Sequence, residues 1–155
     1  MVKFIFTKEI GRLCRWFRIL GFDAVYFNEE NKGTLIIRSL RENRIVVTRR
    51  GKPIDNLKVV IVENNEIKKQ VKEVIEKLNL KIEGKKMFTR CIICNEPLFP
   101  IEKREIKELV PQYVYQTQNL FHKCNICKRV YWQGTHWGNM QRYLESIGVS
   151  PQRII

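Results

Sequence analysis

The cysteines are the residues whose spacing most directly indicates chemistry. Four of the five form two Cys-x-x-Cys pairs, Cys91 with Cys94 and Cys124 with Cys127. A turn of this spacing places two sulfurs on one side of a tight loop, and two such loops supply the four thiolates of a tetrahedral zinc site. Two disulfides or a redox-active pair are the alternatives, and the repetition of the pair in register favours zinc. Four thiolates leave no coordination position open to substrate, so the metal is expected to be structural.

A large excess of positive charge is the second feature of the sequence. The chain of 155 residues has a formal net charge of +13 and a pI near 9.8. Lysine and arginine outnumber the acidic residues 20 to 11 in residues 1–86 and 9 to 5 in residues 87–155. Because both parts are basic, we expect a basic folded surface rather than a basic tail, and a polyanion such as RNA as the partner. Charge alone does not distinguish RNA from DNA.

The hydrophobic pattern does not indicate a membrane protein. No run of 18 apolar residues occurs, so no membrane span is expected. The first nine residues, MVKFIFTKE, are typical of a strand and are too short and too interrupted for a signal peptide. No helix combines a lysine-rich face with a free aromatic face, so binding to a membrane surface is not favoured. We therefore expect a cytoplasmic protein.

Alternating apolar patterns predict an α/β domain in the first part of the chain. Predicted strands cover residues 2–6, 24–27, 44–48 and 58–62, and predicted helices cover residues 8–20, 34–42 and about 64–79. Strands that alternate with helices form a mostly parallel sheet flanked by helices. Ligands of such sheets bind outside the carboxyl ends of the strands. Here those ends are Thr7, the loop from Asn28, and the turn from Thr48 to Arg50.

Residues 87–155 are predicted to form a second unit, a small zinc ribbon with a C-terminal helix, after an α/β domain of residues 1–86. The 29 residues between the cysteine pairs exceed the usual interval, which indicates an insertion. Within it we predict a short helix at 103–110 and a strand at 111–115. A ribbon strand at 130–132 and a final helix at 137–147 follow.

Several segments are similar to a known family. The chain resembles the RNase domain found at the C-terminus of the mutator-seven type of exonuclease, and as a stand-alone protein in bacteria and archaea. The resemblance covers nearly the whole chain. The segments that carry it are GRLCRWFRILGFD at 11–23, RIVVTR at 44–49, RCIICN at 90–95, VP at 110–111, the second cysteine pair and VYWQGTHW at 130–137. It implies a PIN-like α/β domain joined to a zinc ribbon, and a ribonuclease ancestry.

The resemblance also implies where a nuclease site would lie. PIN-like nucleases gather acidic residues at the strand ends, where the carboxylates hold Mg²⁺ or Mn²⁺ and position a water. The acidic positions of the family fall here on Thr7, on Asn31 or Lys32, and on Arg50, so no carboxylate is kept. Lys32 and Arg50 would repel a divalent cation and attract phosphate. The resemblance therefore implies a crevice that binds RNA, with nuclease activity lost or much reduced.

The candidate RNA contacts are basic residues near the strand ends and aromatic residues of the ribbon. Trp132 and Trp137 either pack the ribbon or stack on bases. The full set is Lys8, Arg12, Arg15, Lys32, Arg49, Arg50, Lys52, Trp132 and Trp137.

Three functional hypotheses remain open. The first is a protein that binds structured RNA, such as ribosomal RNA. The second is an active RNase that uses Glu29 or Glu30 to hold Mg²⁺ or Mn²⁺. The third is an interaction subunit of a ribonucleoprotein such as the ribosome. All three include structural zinc.

We expect metal analysis to find about one zinc per chain. Cys91→Ser is expected to unfold the ribbon, because the free energy of zinc binding is the folding free energy of such modules. Cys14, on the first predicted helix, is not an expected ligand, so Cys14→Ser should retain the metal. Elemental analysis and circular dichroism of the two variants check this. Two disulfides in the native chain would contradict it.

Overall fold

The computed structural model describes residues 1–150, except the side chains of Thr135 and His136. The first sheet and its helices are β1 (Lys3–Thr7), α1 (Gly11–Ile19), β2 (Asp23–Phe27), α2 (Lys32–Glu42), β3 (Ile45–Thr48), β4 (Val59–Ile61) and α3 (Ile67–Lys77). The later elements are β5 (Phe99–Ile101), α4 (Gln112–Thr117), β6 (Phe121–Lys123), β7 (Val130–Trp132) and α5 (Thr135–Ser146). Single 3₁₀ turns lie at Lys8–Ile10, Gly84–Lys86 and Lys103–Glu105. Within residues 1–150, no helix is both long and apolar enough to cross a membrane.

The larger sheet is parallel throughout and has the strand order β2-β1-β3-β4. Thr7 at the end of β1 pairs with Phe27 at the end of β2, and Phe6 pairs with Val47 of β3. The carboxyl ends of these strands therefore meet at one edge, which is where parallel sheets bind ligands. The predicted fold class is confirmed: a parallel sheet is flanked by helices, and a separate antiparallel sheet and a four-cysteine cluster follow it in the chain.

Alternation of side chains along the strands divides the core between two faces of this sheet. Phe4 and Phe6 of β1 are fully buried in the larger cluster, with α1 and α3. Ile5, between them, is buried on the other face with Leu35 of α2. Each such aliphatic or aromatic side chain contributes about 1.5–3 kcal/mol when it leaves water. Because β1 has apolar side chains on both faces of the sheet, helices must cover both faces.

Helix α5 packs on the α/β part of the molecule. Tyr143 and Leu144 are buried within the larger core cluster. The ring of Tyr143 lies 4.7 Å from that of Trp16, and its hydroxyl donates to the carbonyl of Lys68 at 2.8 Å. The division into units 1–86 and 87–155 stays a prediction. The helix assigned to the second unit, however, has its buried side chains against α1 and α3.

The ribbon region has a three-stranded antiparallel sheet in the order β5-β6-β7. The strand predicted at 111–115 is wrong, because this segment is helix α4. Pro111 precedes the helix, a position that suits its fixed φ, and only Val114 of the helix is buried while Tyr113 is 67% exposed. The helix predicted at 103–110 is reduced to one 3₁₀ turn, Lys103–Glu105.

Gly21 is the point where the end of α1 contacts the chain that leads to the ribbon. Its φ is +94°, and a Cβ at this position would lie 2.2 Å from the carbonyl oxygen of Lys86. Nearby, the amide of Phe88 donates to the carbonyl of Ile19 at 2.8 Å. The close approach of the two segments therefore requires glycine.

Gly21→Ala is expected to destabilise the protein by at least about 2 kcal/mol, because a side chain here combines an unfavourable φ with overlap on backbone atoms. Gly138→Ala, in α5, is the matched control, since its Cβ would meet nothing within 4 Å. That change should be neutral, or stabilising by up to about 1 kcal/mol, because alanine favours the helix. Urea unfolding measures both, and equal midpoints would contradict the expectation.

Candidate metal centre and nucleic-acid interface

The two Cys-x-x-Cys loops have the same backbone geometry. The residue after each second cysteine, Asn95 or Lys128, has a left-handed φ of 65° or 64°. Its amide donates to the carbonyl of the first cysteine, at 2.9 Å from Asn95 and 3.0 Å from Lys128. The amide of that first cysteine donates to the carbonyl two residues after the second cysteine, at 2.8 and 3.0 Å. In each loop, this turn places the two sulfur atoms on the same side.

The four predicted ligands are brought together. The Sγ atoms of Cys91, Cys94, Cys124 and Cys127 all lie within 4.8 Å of one another, and those of Cys91 and Cys127 are 3.6 Å apart. Tetrahedral zinc with bonds of about 2.3 Å requires sulfur atoms about 3.8 Å apart, whereas a disulfide requires about 2.05 Å. All five cysteines of the chain are free. The cluster could therefore hold one metal ion.

A tyrosine of the ribbon sheet contacts this cluster. The hydroxyl of Tyr131, on β7, lies 3.0 Å from Cys91 Sγ. Burial opposes the thiolate, but hydrogen bonds from Tyr131 and nearby amides outweigh it and lower the pKa of Cys91 to about 7. Burial and the neighbouring cysteines raise the pKa of Cys94 to about 12. Tyr131 therefore stabilises the thiolate form of Cys91. Sequence reasoning missed this tyrosine.

Arg18 fixes the first cysteine loop against the α/β sheet. Its side chain is buried, with Nε donating to the carbonyl of Ala24 at 2.8 Å. Nη1 donates to the carbonyls of Ile92 and Ile93, at 2.9 and 3.0 Å. These carbonyls belong to the loop between Cys91 and Cys94, so one guanidinium joins α1, β2 and the metal cluster.

Asn95 makes the second connection between the metal cluster and the sheet. Its side-chain oxygen accepts from the amide of Ala24 at 2.9 Å, and its Nδ2 donates to Asp23 at 2.8 Å. Asp23 also pairs with Arg44 at 2.7 Å. Burial opposes the charge of Asp23, but the hydrogen bonds from Arg44 and Asn95 outweigh it and lower the pKa of this carboxyl. The cysteine loop is therefore attached at the amino end of β2.

At the opposite edge, the carboxyl ends of β1 and β3 surround the carboxylate of Glu9. Glu9 Oε1 lies 2.7 Å from the hydroxyl of Thr7 and 2.9 Å from that of Thr48, and it accepts from the amide of Arg49 at 3.2 Å. Burial opposes the charge, but these hydrogen bonds lower the pKa of Glu9. The contacts hold one ionised carboxylate in the crevice. Its position two residues after the strand end is the sequence signal that could have identified it.

The other acids near this edge do not complete a metal site. Glu30 is paired with Lys8, and its side chain is 83% exposed; Glu29 is also exposed. Asn31 caps α2, its side-chain oxygen accepting from the amide of Thr34 at 3.1 Å. Among the residues that the structure describes, the four cysteines form the one group of three or more potential metal ligands.

The basic candidates are placed in different surroundings. Lys32 is exposed at the start of α2, and Arg50 and Lys52 are exposed on the turn that follows β3. The side chain of Arg49 contacts Asn65. Arg12 and Arg15 are exposed on α1. Trp132 is partly buried against the small ribbon core, with its ring 6.4 Å from that of Phe121, and Trp137 is also partly buried. Their roles in RNA contact stay predictions.

Comparison with protein families assigns the chain. A family model described as "Mut7-C RNAse domain" matches residues 2–144, nearly the whole length. The chain belongs to the Mut7-C RNase domain family. No curated protein and no solved structure matches it in the corresponding comparisons. The Mut7-C match includes both the strand-end crevice and the four cysteines, so both belong to one nucleic-acid-related domain.

In this Mut7-C chain, Asn95→Gly is expected to destabilise the protein by about 2 kcal/mol. Glycine keeps the left-handed φ, but the amide of Ala24 and the carboxylate of Asp23 each lose a hydrogen-bonding partner. Lys128→Gly is the matched control at the equivalent position of the second loop, where the side chain is exposed. That change should be neutral or slightly stabilising. Chemical unfolding of both variants with metal bound checks this, and equal losses would contradict the attachment through Asn95.

Proposed function

We propose that this chain is an RNA-binding protein built on a nuclease scaffold whose acidic metal site has been replaced by neutral and basic side chains. The observation that carries the proposal is that, within residues 1–150, one carboxylate is held between the ends of β1 and β3. Glu9 is already bound by Thr7, Thr48 and the amide of Arg49. A divalent cation that activates water in a nuclease takes several oxygen ligands, including carboxylates from the protein, and here the neighbouring side chains are hydroxyls and cations.

The basic residues around this crevice support binding of phosphate. Lys32 begins α2, and Arg49, Arg50 and Lys52 follow β3. A positive charge a few ångström from a metal position opposes a divalent cation. The same charges attract phosphate, and arginine adds a planar donor pair that matches two phosphate oxygens. The crevice therefore suits an RNA backbone that is held without being cut.

Zinc is the metal that we propose for the four cysteines. Four thiolates at tetrahedral separations are the donor set of structural zinc sites. When bound, zinc would neutralise the thiolates of Cys91, Cys94, Cys124 and Cys127 and hold both loops in place. The free cysteines also support a reducing compartment such as the cytoplasm.

A second candidate function is docking on a ribonucleoprotein such as the ribosome through protein contacts. It is favoured by three large apolar side chains of the ribbon insertion, Leu109, Tyr113 and Leu120, which are 57%, 67% and 72% exposed. Under this alternative, binding to naked RNA would be weak and would fall steeply with salt, since phosphate contacts alone would remain.

Incubation of the native protein with end-labelled cellular RNA tests the proposal. The RNA is expected to be shifted on native gels and intact on denaturing gels, whether Mg²⁺, Mn²⁺ or EDTA is present. Cleavage that requires a divalent ion would overturn the loss of catalysis. Glu9→Gln, Glu29→Gln and Glu30→Gln would then identify the acid responsible.

The combined change of Thr7→Asp, Lys32→Asp and Arg50→Asp is the converse experiment. It restores carboxylates at the three strand-end positions, and Mg²⁺-dependent cleavage is expected to appear or increase. Lys32→Asp also adds a negative charge in the first turn of α2, where the helix dipole favours it. A native chain that already cuts RNA, with no gain from the triple change, would contradict the degenerate-site proposal.

A further inference from the structure

A groove lies between α1, strand β2 and the first cysteine loop, outside the strand-end crevice. Its volume is about 560 Å³, within the range of pockets that enclose small organic ligands. Arg12, Arg15 and Tyr26 line one part of it, and Ile92 and Ile93 of the cysteine loop line another. The metal-bearing loop is therefore one wall of the groove, and α1 is the other.

The groove is strongly basic. Arg12 and Arg15 are exposed one helical turn apart, so their side chains share a face of α1. Within residues 1–150 neither makes an ion pair, and none of the lining residues is acidic. Arg18 is buried at the base, where the carbonyls of Ala24 and the cysteine loop satisfy it. Two guanidinium groups therefore remain available for an anionic ligand.

Tyr26 adds an aromatic surface to this basic groove. Its hydroxyl donates to the carbonyl of Lys8 at 3.0 Å, and its ring lies against Gly11, where a Cβ would be 3.2 Å from ring atom Cε2. The residue nevertheless remains 40% exposed. A ring that is held in place at low entropic cost and is open to solvent can stack on a planar group of a ligand.

Residues along helix α1, from Gly11 to Arg18, line the groove. Helix α1 runs back along the sheet, so Gly11 lies near the carboxyl end of β2 and Arg18 lies near its amino end. The helix rises about 10 Å between these two residues.

We propose that this groove binds an unpaired stretch of RNA, with phosphates on Arg12 and Arg15 and a base stacked on Tyr26. The proposal rests on the proposed function, and it names the form of RNA that the chain recognises. An unpaired base can stack on an aromatic side chain, whereas a base inside a duplex is already stacked and paired. A structured RNA would therefore enter the groove through a loop, a bulge or a single-stranded end.

In this proposal, the first cysteine loop takes a direct part in binding RNA. Ile92 and Ile93 lie between two of the metal ligands, and their carbonyls are held by Arg18. Ile93 is 41% exposed. Because this loop forms one wall of the groove, removing the metal is expected to weaken binding to unpaired RNA even though the metal contacts no nucleotide.

The test compares two fluorescent RNA probes by anisotropy with the full-length, metal-bound protein. One is a blunt hairpin, and the other is the same hairpin with an unpaired tail of about ten nucleotides. The tailed probe is expected to bind at least tenfold more tightly. Arg12→Gln with Arg15→Gln should abolish most of this difference and reduce the salt slope by about 1.4, or 0.7 per phosphate contact.

Tyr26 is tested by Tyr26→Leu and Tyr26→Phe. Tyr26→Leu should weaken binding of the tailed probe by about 5- to 150-fold and leave the salt slope unchanged, because stacking carries no charge. Tyr26→Phe keeps the ring and should bind within about twofold of the native protein. If Tyr26→Leu and Tyr26→Phe weaken binding equally, stacking on the ring is wrong, and loss of the hydroxyl contact explains the weaker binding.

Arg38→Gln with Arg41→Gln is the matched control for charge. These arginines have the same spacing on α2, which covers the opposite face of the sheet. The control should retain the preference for the tail. If it weakens binding as much as the Arg12 and Arg15 pair, the groove proposal is wrong and RNA binding depends on net charge. If the native protein binds neither probe, the proposed function fails. Thermal unfolding and zinc content confirm that each variant is folded.

Discussion

The attachment of the first cysteine loop to the amino end of β2 is the contact on which the rest of this architecture depends. Arg18 donates to the two carbonyls of that loop, and Asn95 binds the amide of Ala24 and the carboxylate of Asp23. Buried polar groups are costly unless they are paired. Here the polar groups of the loop and of the sheet are hydrogen-bonded to each other, so the cluster of four cysteines occupies a defined place against α1. The groove exists because of that placement.

Positive charge predominates both at the carboxyl edge of the sheet and along α1. At the carboxyl edge of the sheet, one carboxylate is enclosed by hydroxyls and a backbone amide, and basic turns surround it. Along α1, Arg12 and Arg15 are exposed beside the cysteine loop. A cation site would require neighbouring carboxylates, whereas this distribution produces a positive potential. The RNA binding that we propose depends on this positive potential, which is the attraction that a phosphate backbone requires.

Local patterns predicted most of the α/β sheet, because its signals are strong. Successive side chains of β1 enter two different core clusters, and the helices carry apolar stripes at helical spacing. The insertion between the cysteine pairs was predicted less well. The segment at 111–115 is rich in aromatic and β-branched residues, which are typical of strands, yet it belongs to a short helix in which only Val114 is buried. Six residues are too few for periodicity to distinguish the two, and packing against Ile106 and Phe121 decides.

The sequence by itself determined the four cysteines that could hold a metal, the parallel sheet and the family. These properties depend on residue type and short spacing, which are visible in a linear chain. Only the tertiary structure decided that Glu9 lies between two strand ends, that Arg18 is buried under a cysteine loop, and that Tyr26 borders the same groove as Arg12. Those contacts join residues up to 75 positions apart. They form when parallel strands and the attached ribbon bring distant segments together, and no local pattern encodes that approach.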